Sequence, residues 1–335
     1  MASKNNLREL IERLAGQRIL VVGDFCLNRF ESCRTVRFGH EAPTLVLRHE
    51  DETSDAGWAG HVAVSAGVLG GEAIPVGLVG DDATGRALLA ALERAKIDCN
   101  HIVISPGRST HSIKRIYAGG HNTNRRQVLR IDYEDRGTAT RDEERLLLDR
   151  IEAVLPRVKA IYVSDHGRGA VTRKIWMALH DGARKHAIHS VVDSGRSPLA
   201  FLGATVMLQT EYELVEVLRE REVRTPNEAA VLARNLQRRA QSQSVILTRG
   251  NQGMVVVDGR KKPLHLGIYG PGDITDPTGV GETVGATTVL SLAAGATVLQ
   301  AARLASYAGG LAVMKPALAT VTSGDLSRAV PSRAL

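Results

Sequence analysis

Short apolar runs alternate with amphipathic segments along most of the chain, and this alternation limits the possible folds more than any other feature. The run from Arg18 to Val22 reads as a buried strand after an amphipathic helix over 6–15. Further strands are predicted near 74–79, 102–104, 160–164, 190–192, 206–208, 244–247 and 254–257, and helices near 85–96, 141–155, 171–186, 211–219 and 226–240. Strands that alternate with helices predict a parallel sheet with helices on both faces. We therefore expect one doubly wound α/β domain over residues 1–335.

Two segments break this rhythm. Residues 29–50 look extended, and their TLVLRHE portion alternates as a strand does. Residues 111–133 contain two extended runs joined by GGHNTN, which is a hairpin signal with a polar tip. We predict that both segments belong to a small β lid inserted in the α/β domain.

Composition agrees with a large α/β enzyme. A chain of 335 residues that is 43% hydrophobic can bury a sizeable core. Aromatic residues make up only 4% of the chain and glycines number 33, which suits helices packed closely on a sheet. The net charge of +7 weakly favours anionic ligands.

A few further observations indicate the cellular compartment and the kinds of binding partner. Cys26, Cys33 and Cys99 show no metal-ligand spacing, which indicates free thiols in a reducing compartment. The N-terminus has no apolar core typical of a signal peptide. Residues 283–302 lack charge but contain many Gly, Thr and Ser residues, so a buried core helix is predicted rather than a membrane span. Basic stretches lack the interleaved aromatics of a nucleic-acid platform. We expect a cytoplasmic protein that binds neither membranes nor nucleic acids.

A glycine-rich loop precedes the late apolar run. Thr278 to Glu282 place two glycines and one acid just before a predicted helix. Glycines allow close approach of a ligand, and a helix N-terminus attracts an anion such as a transferring phosphoryl group. Glu282 would then stand where a general base is useful. An ordinary glycine turn with a favourable acid in the first turn of the helix explains the same residues.

Individual polar residues also have two interpretations. Asp24 follows the strand that is predicted to end there, so it is either a substrate contact at the carboxyl edge of the sheet or a cap. His61 lies near a glycine-rich turn and could bind a substrate, although a lone His is more often a structural donor. Arg125, Arg126 and Arg130 lie in or beside the hairpin tip. They could contact a phosphorylated substrate or a partner subunit, or remain in solvent.

Several motifs follow one another along the chain in an order that resembles a known family. A strand ending in Gly-Asp at 23–24, a glycine-rich helix start at 55–71, a hairpin, TRGxxG at 248–253 and the loop before the late helix follow one another. This order resembles the ribokinase-like (PfkB) carbohydrate kinases over nearly the whole chain. The resemblance implies a ribokinase-like three-layer α/β/α sandwich with a mostly parallel central sheet and a small β lid.

Within that family the chain is most similar to the heptose 7-phosphate kinase module of lipopolysaccharide-core biosynthesis. The similarity rests on GDFCLNRF at 23–30, Arg37 with EAP at 41–43, QVLRIDYE at 127–134 and SDHGRGAV at 164–171. The nucleotidyltransferase module that is sometimes fused to those kinases is expected to be absent, because the chain stops at Leu335.

The resemblance implies a role for each matching residue. Glu282 falls at the family's catalytic Asp, and the backbone of Gly279, Val280 and Gly281 is the implied anion hole. The implied nucleotide contacts are Thr248, Arg249, Gly250, Gly253, Asp276 and Thr278; the implied magnesium residue is Glu213; and the implied sugar contacts are Asp24, Asn28, Arg37, Gly57, His61 and Arg130. ATP and Mg²⁺ are the expected cofactors, a monovalent cation is a further candidate, and a homodimer through the lid is the expected assembly.

Several of these positions depart from the family pattern. The departures are Glu282 for Asp, Asn28 for an acid, His61 for Asn, Thr210 for the Asn of NxxE, and Ser194-Gly195 where the heptose kinases carry Pro-Lys. A base displaced by about 1 Å can cost about 100-fold in rate. Two hypotheses follow: an active sugar or sugar-phosphate kinase, or a pseudokinase that acts as a ligand-binding, regulatory or assembly subunit. Retention of Asp24, the loop glycines and Glu213 favours the kinase.

Overall fold

A computed structural model describes residues 7–120, 125–134, 137–270, 276–315, 318 and 320–331. The strands are β1 (Arg18–Phe38), β2 (Leu45–Trp58), β3 (Glu72–Gly80), β4 (Ile102–Ser105), β5 (His111–Gly119), β6 (Arg126–Tyr133), β7 (Ala160–Asp165), β8 (His189–Ser194), β9 (Val206–Thr210), β10 (Ser244–Thr248), β11 (Met254–Asp258) and β12 (Leu264–Leu266). The helices are α1 (Leu7–Arg13), α2 (Ala59–Val68), α3 (Ala83–Arg94), α4 (Arg141–Val154), α5 (Arg173–Lys185), α6 (Glu211–Leu218), α7 (Pro226–Arg239), α8 (Val280–Ala293), α9 (Val298–Ala312) and α10 (Ser323–Ala329).

The central sheet has the order β12-β11-β10-β9-β8-β7-β1-β3-β4. Its strands pair in parallel except at β10/β11 and β11/β12. Alternate residues of β1 point to opposite faces. Ile19 and Val21 pack with α1, α2, α3, α8, α9 and α10, while Leu20 and Val22 pack with α4, α5, α6 and α7. The predicted three-layer sandwich with a mostly parallel sheet is confirmed.

The lid grows directly out of the central sheet. The prediction that the first strand ends at Asp24 is wrong, because β1 continues to Phe38. Its first part pairs with β3 and β7, and from Phe25 onward it pairs with β2 and β5, so new partners keep the backbone extended. Antiparallel β5 and β6 complete the lid sheet, and the hairpin tip at 121–124 lies outside the described residues.

The charge-free run over 283–302 forms two helices rather than the single predicted helix. Gly295 takes a left-handed φ of 81° after α8, which ends that helix. Thr297 then caps α9, since its side chain accepts from the Gln300 N–H and Gln300 reciprocates. The sequence interpretation also omitted β12 and α10. No helix in the described ranges is both long and apolar enough to cross a membrane.

Candidate active site

The first turn of α8 presents an open backbone surface. Gly279 caps the helix with a left-handed φ of 80°, and a Cβ there would lie 2.6 Å from Leu318 Cδ2 and 2.9 Å from His61 Nε2. Only glycine therefore fits at Gly279. Gly281 is exposed, and a Cβ there would meet nothing within 4 Å. Val280 N–H donates to Pro277 O at 3.3 Å. Space for an anion thus lies in front of Gly281, at the positive end of a long helix.

The loop before α8 is tied to the lid. Asp276 Oδ1 accepts from the Thr278 N–H at 2.9 Å, and Asp276 Oδ2 accepts from the Tyr117 hydroxyl at 3.1 Å. Tyr117 belongs to lid strand β5. Burial and the neighbouring Asp276 carboxylate raise the pKa of Tyr117 to about 12, which keeps its hydroxyl protonated as a donor. Asp276 therefore shapes the anion loop and joins it to the lid.

Glu282 lies between this loop and the lid. Burial raises the pKa of its carboxyl, and repulsion from Glu213 acts in the same direction. The Glu282 and Trp58 backbone N–H groups bond to the carboxylate, and these bonds and the positive charge of Arg115 oppose the shift. A carboxylate with a raised pKa is a stronger base than an ordinary Glu, which suits proton abstraction.

Asp193 and Glu213 form an acidic pair behind Glu282. The Tyr162 hydroxyl donates to Asp193 Oδ2 at 2.9 Å. Burial, and then repulsion from Glu213, raises the pKa of Asp193 to about 8. Thr210 Oγ1 donates to Glu213 Oε2 at 2.6 Å and fixes its side chain. The sequence interpretation gave Asp193 no role, although an acid at the end of a buried strand is the same signal that selected Asp24.

The donor set fits a magnesium ion that is shared with a nucleotide. Among the described residues, no group of three or more His, Cys, Asp or Glu is arranged to hold a metal. Mg²⁺ usually keeps several waters and binds one or two carboxylates together with substrate phosphates. Asp193 and Glu213 supply such oxygens, and a cation would relieve their repulsion.

A cavity of about 530 Å³ opens beside the first turn of α8. Its walls are mostly apolar and include Met254, Ile268, Tyr269, Val284 and Val313, with Gly281 at the edge that faces the anion loop. Gly310 also lines the cavity, and a Cβ there would lie 2.1 Å from Tyr269 O. A ligand pocket of this size and polarity can take an adenine nucleoside.

The TRGxxG turn supplies a cation to the same cavity. Arg249 is buried and pairs with Glu211, yet its Nη2 has no hydrogen-bond partner within the described part of the chain. The backbone N–H of Arg249 donates to Gly253 O at 2.8 Å. Gly253 has a φ of 84°, and a Cβ there would lie only 2.0 Å from Leu266 O. Thr248 Oγ1 donates to Gln209 O at 3.2 Å. Arg249 lines the cavity, so its buried guanidinium places a positive charge in the wall, which suits an anionic nucleotide.

Asp24 holds a neighbouring loop in place. It is only 2% exposed, and its oxygens accept from the N–H groups of His166 and Arg168 at 2.9 Å and of Ala170 at 3.1 Å. Burial is the main cause that raises its pKa to about 6, and the three backbone bonds oppose this shift. These contacts match the capping alternative, while the direct sugar contact of Asp24 stays a prediction.

Asn28 and Arg115 form a buried polar pair under the lid. Arg115 Nη1 donates to Asn28 Oδ1, and its guanidinium lies 5.8 Å from the centre of the Phe30 ring. Gly57 is packed here, since a Cβ would lie 2.1 Å from Asn28 Nδ2. Burial lowers the pKa of Arg115, and the facing Arg130 adds to this effect. The sequence interpretation missed Arg115, which lies in the mostly polar stretch HSIKR at 111–115 and has no local signal of its own.

The remaining predicted contacts differ in position. His61 is buried against Gly279, and burial lowers its pKa to about 4, so the ring is neutral. Arg130 is exposed and binds Asp132 through two bonds of 2.7 and 2.9 Å. Arg37 is exposed near the far end of β1, and its sugar contact stays a prediction.

Comparison with known proteins agrees with this geometry. Residues 17–323 match the model of the pfkB family of carbohydrate kinases. The bifunctional protein HldE of Bradyrhizobium sp. (strain ORS 278) is 33% identical over 325 residues, and that of Paramagnetospirillum magneticum is 34% identical over 329 residues. These alignments cover 96% and 97% of this chain but only 65% and 66% of the relatives.

Solved structures share the fold at lower identity. Escherichia coli phosphofructokinase-2 in complex with substrates and products superposes with a TM-score of 0.74 at 18% identity, covering 94% of this chain and 98% of that one. Arabidopsis thaliana ribokinase complexed with ribose and ATP gives a TM-score of 0.71 at 14% identity, with the same coverage. Because the family model spans most of the chain and its glycine loop, acids and cavity lie together, the chain belongs to the pfkB family of carbohydrate kinases.

Proposed function

We propose that the protein transfers the γ-phosphoryl group of ATP to a hydroxyl of a sugar or sugar phosphate, with Glu282 as the general base. One observation carries the proposal: Glu282 lies in the α8 first turn, with the nucleotide-sized cavity beyond Gly281 on one side and the lid residues Trp58 and Arg115 on the other. Family membership supplies the reaction class, since carbohydrate kinases transfer phosphoryl groups to alcohols.

The chemistry of the step fits these residues. The acceptor oxygen forms a bond to the γ-phosphorus, the bond from that phosphorus to the bridging oxygen of ADP breaks, and the hydroxyl proton moves to Glu282. Backbone donors of Gly279 and Gly281 and the Arg249 guanidinium stabilise the negative charge. A magnesium ion held through Glu213 would neutralise further phosphate charge.

The acceptor would lie beneath the lid. Asn28, Gly57 and His61 are proposed to contact it, and Asp24 acts by holding the 166–170 loop. Heptose 7-phosphate is the first substrate to test because of the sequence motifs shared with heptose 7-phosphate kinases. The chain spans about 65% of the HldE relatives, so their substrates reach this chain only as part of this proposal.

The lid also favours a homodimer. Phe38 is 68% exposed and Leu129 is 51% exposed, and Val36, Leu45 and Tyr133 expose large side chains on the same lid. A sheet with exposed apolar side chains and free edges is commonly covered by a second copy. Sedimentation velocity would test this, with a dimer expected for the native chain and a monomer for a Phe38→Glu, Leu129→Glu variant.

The experiment that tests the function is Mg-ATP turnover against a panel of sugars and sugar phosphates that includes heptose 7-phosphate. We expect ADP release with at least one acceptor, and Glu282→Ala should abolish it. The pseudokinase alternative rests only on the sequence departures at His61, Thr210 and Glu282. It would be supported if no acceptor reacts with the native chain while Glu282→Asp gains activity.

A further inference from the structure

A cluster of rings and one guanidinium lies beside the proposed base. The Trp58 ring stacks on His166 with centroids 4.5 Å apart and an angle of 12°. Arg168 places its guanidinium carbon 5.9 Å from the centre of the Trp58 ring, and His111 lies 5.8 Å from that ring. We name Trp58, His166 and Arg168 the Trp58 cluster.

The backbone of Trp58 connects this cluster to catalysis. Trp58 caps α2 with a φ of 54°, a left-handed conformation that is strained for a bulky residue. Its backbone N–H lies near the Glu282 carboxylate and lowers the pKa of that group. Strained backbone conformations concentrate at ligand sites, where the surrounding structure holds them. A ligand whose hydroxyl reaches Glu282 would therefore lie against the Trp58 cluster.

Donors in the cluster lack acceptors. Arg168 is only 6% exposed and uses Nη2 to pair with Glu134, but its Nε and Nη1 have no hydrogen-bond partner in the described ranges. His166 Nε2 is also buried and unpartnered there. Buried polar groups in proteins are nearly always hydrogen-bonded, so several unpaired atoms in one cluster point to a binding site.

The charges around the cluster select an anion. Arg196 adds a second cation, since a Cβ at Gly167 would lie 2.8 Å from Arg196 Cδ. Burial, followed by the charges of Arg168 and Arg196, lowers the pKa of His166 to about 3, so the ring is neutral and one ring nitrogen can donate. The nearby acids are already engaged: Asp24 accepts from the 166–170 backbone, and Asp165 accepts from Gly167 N–H and the Ser194 hydroxyl.

The edge of the Trp58 cluster borders solvent. Trp58 and His166 are partly exposed, and Gly167 between His166 and Arg168 is exposed. A group that lies along the Trp58 ring would therefore meet the edge of the cluster, while the unpartnered nitrogens of Arg168 and His166 are themselves buried. The hairpin residue Arg130 is a weaker candidate for binding an anion, because it is exposed and already donates two hydrogen bonds to Asp132.

We propose that Arg168 and His166, positioned by Trp58, form a subsite for a phosphate group on the acceptor. The inference rests on the proposed function and deepens it, because it assigns the acceptor's anionic group to particular side chains. A planar guanidinium with two free N–H groups matches the oxygens of a phosphate monoester.

The first test measures binding without turnover. The chain has two tryptophans, Trp58 and Trp176, and Trp176 packs elsewhere against Phe201. In a Trp176→Phe background, titration with inorganic phosphate at constant ionic strength should change Trp58 emission saturably. Arg168→Met should abolish the change, and the exposed control Arg145→Met should retain it. No change, or the same change with Arg168→Met, would overturn the subsite.

The second test compares each neutral sugar with its phosphate and with the corresponding sugar acid. Arg168→Met should lower the preference for the phosphorylated acceptor, measured as a ratio of kcat/KM values, by about 10- to 100-fold, as expected for loss of charge-assisted hydrogen bonds. Arg168→Lys keeps the positive charge and should restore part of that preference. Such a partial restoration would show that the Arg168→Met result comes from lost charge rather than from misfolding. An unchanged ratio, or a stronger preference for the sugar acid, contradicts the proposal. If phosphate binds at Trp58 and no acceptor reacts, the kinase proposal fails while the subsite stands.

Discussion

The proposed nucleotide side and the proposed acceptor side of this molecule are built in different ways. The proposed nucleotide side is an apolar cavity of about 530 Å³ bordered by glycine turns, and Arg249 in its wall has one nitrogen without a hydrogen-bond partner among the described residues. The acceptor side is crowded with buried charged or polar groups, including Asp24, Asn28, Arg115 and Arg168, beside a strained Trp58. The nucleotide side thus depends on backbone shape, and the acceptor side depends on side chains from distant parts of the chain. Substrate choice is expected to lie in the second region.

Glu282 lies where the two regions meet, and its replacement has the largest expected effect. Glu282→Gln should lower kcat by about 10²- to 10⁴-fold, the usual contribution of a general base. Nucleotide affinity, measured by calorimetry, should stay near the native value because the cavity walls are unchanged. Glu152→Gln, an exposed acid on α4, is the matched control. A large loss of nucleotide affinity with little change in kcat would move Glu282 to the nucleotide side.

Asp193 gives a test that uses pH and stability. Its folded-state pKa of about 8 lies above the ordinary 3.8, so the folded protein keeps a proton that the unfolded chain releases. Stability is therefore lost as pH rises between these values, at about 1.36 kcal/mol per pH unit. In metal-free buffer, native unfolding free energy should fall by about 4 kcal/mol relative to Asp193→Asn between pH 5 and pH 8. Parallel pH profiles in urea unfolding would show that Asp193 does not titrate in this way.

Arg249 tests the nucleotide side alone and should give the smallest effect. Arg249→Met removes the guanidinium whose Nη2 is unpaired in the cavity. We expect the KM for ATP to rise by about 10- to 100-fold, the range for a lost hydrogen bond to a charged group. The KM for the acceptor should change little. An equal rise in both KM values would mean that the two regions are not separable at this residue.

The same division explains what could be predicted from the sequence. The alternation of strands and helices predicted the layers and the lid, because hydrophobic periodicity is a local property. The continuation of β1 past Asp24 was missed because it depends on the lid partners β2 and β5. The break at Gly295 was missed because the run around it carries no charge to mark a helix end.

For the candidate site too, contiguous signals could be read from the sequence and contacts between distant segments could not. The loop from Thr278 to Glu282 could be found, since glycines and one acid before a helix are a contiguous signal. Trp58, Arg115 and Arg168 were not found, because they come from three separate segments and meet only in the fold. A left-handed Trp58 also contradicts local backbone preference, so no propensity rule could have indicated it.

The most direct test of Glu282 as the base is the pH dependence of kcat in the native protein and in Arg115→Gln. The base must be deprotonated, so kcat should rise with pH through the Glu282 pKa, which burial raises above 4.5. Arg115 lowers that pKa, so its removal should move the acidic limb to higher pH. The acidic limb should disappear in Glu282→Gln. An acidic limb that stays in place in Arg115→Gln and persists in Glu282→Gln would contradict the assignment of Glu282 as the catalytic base.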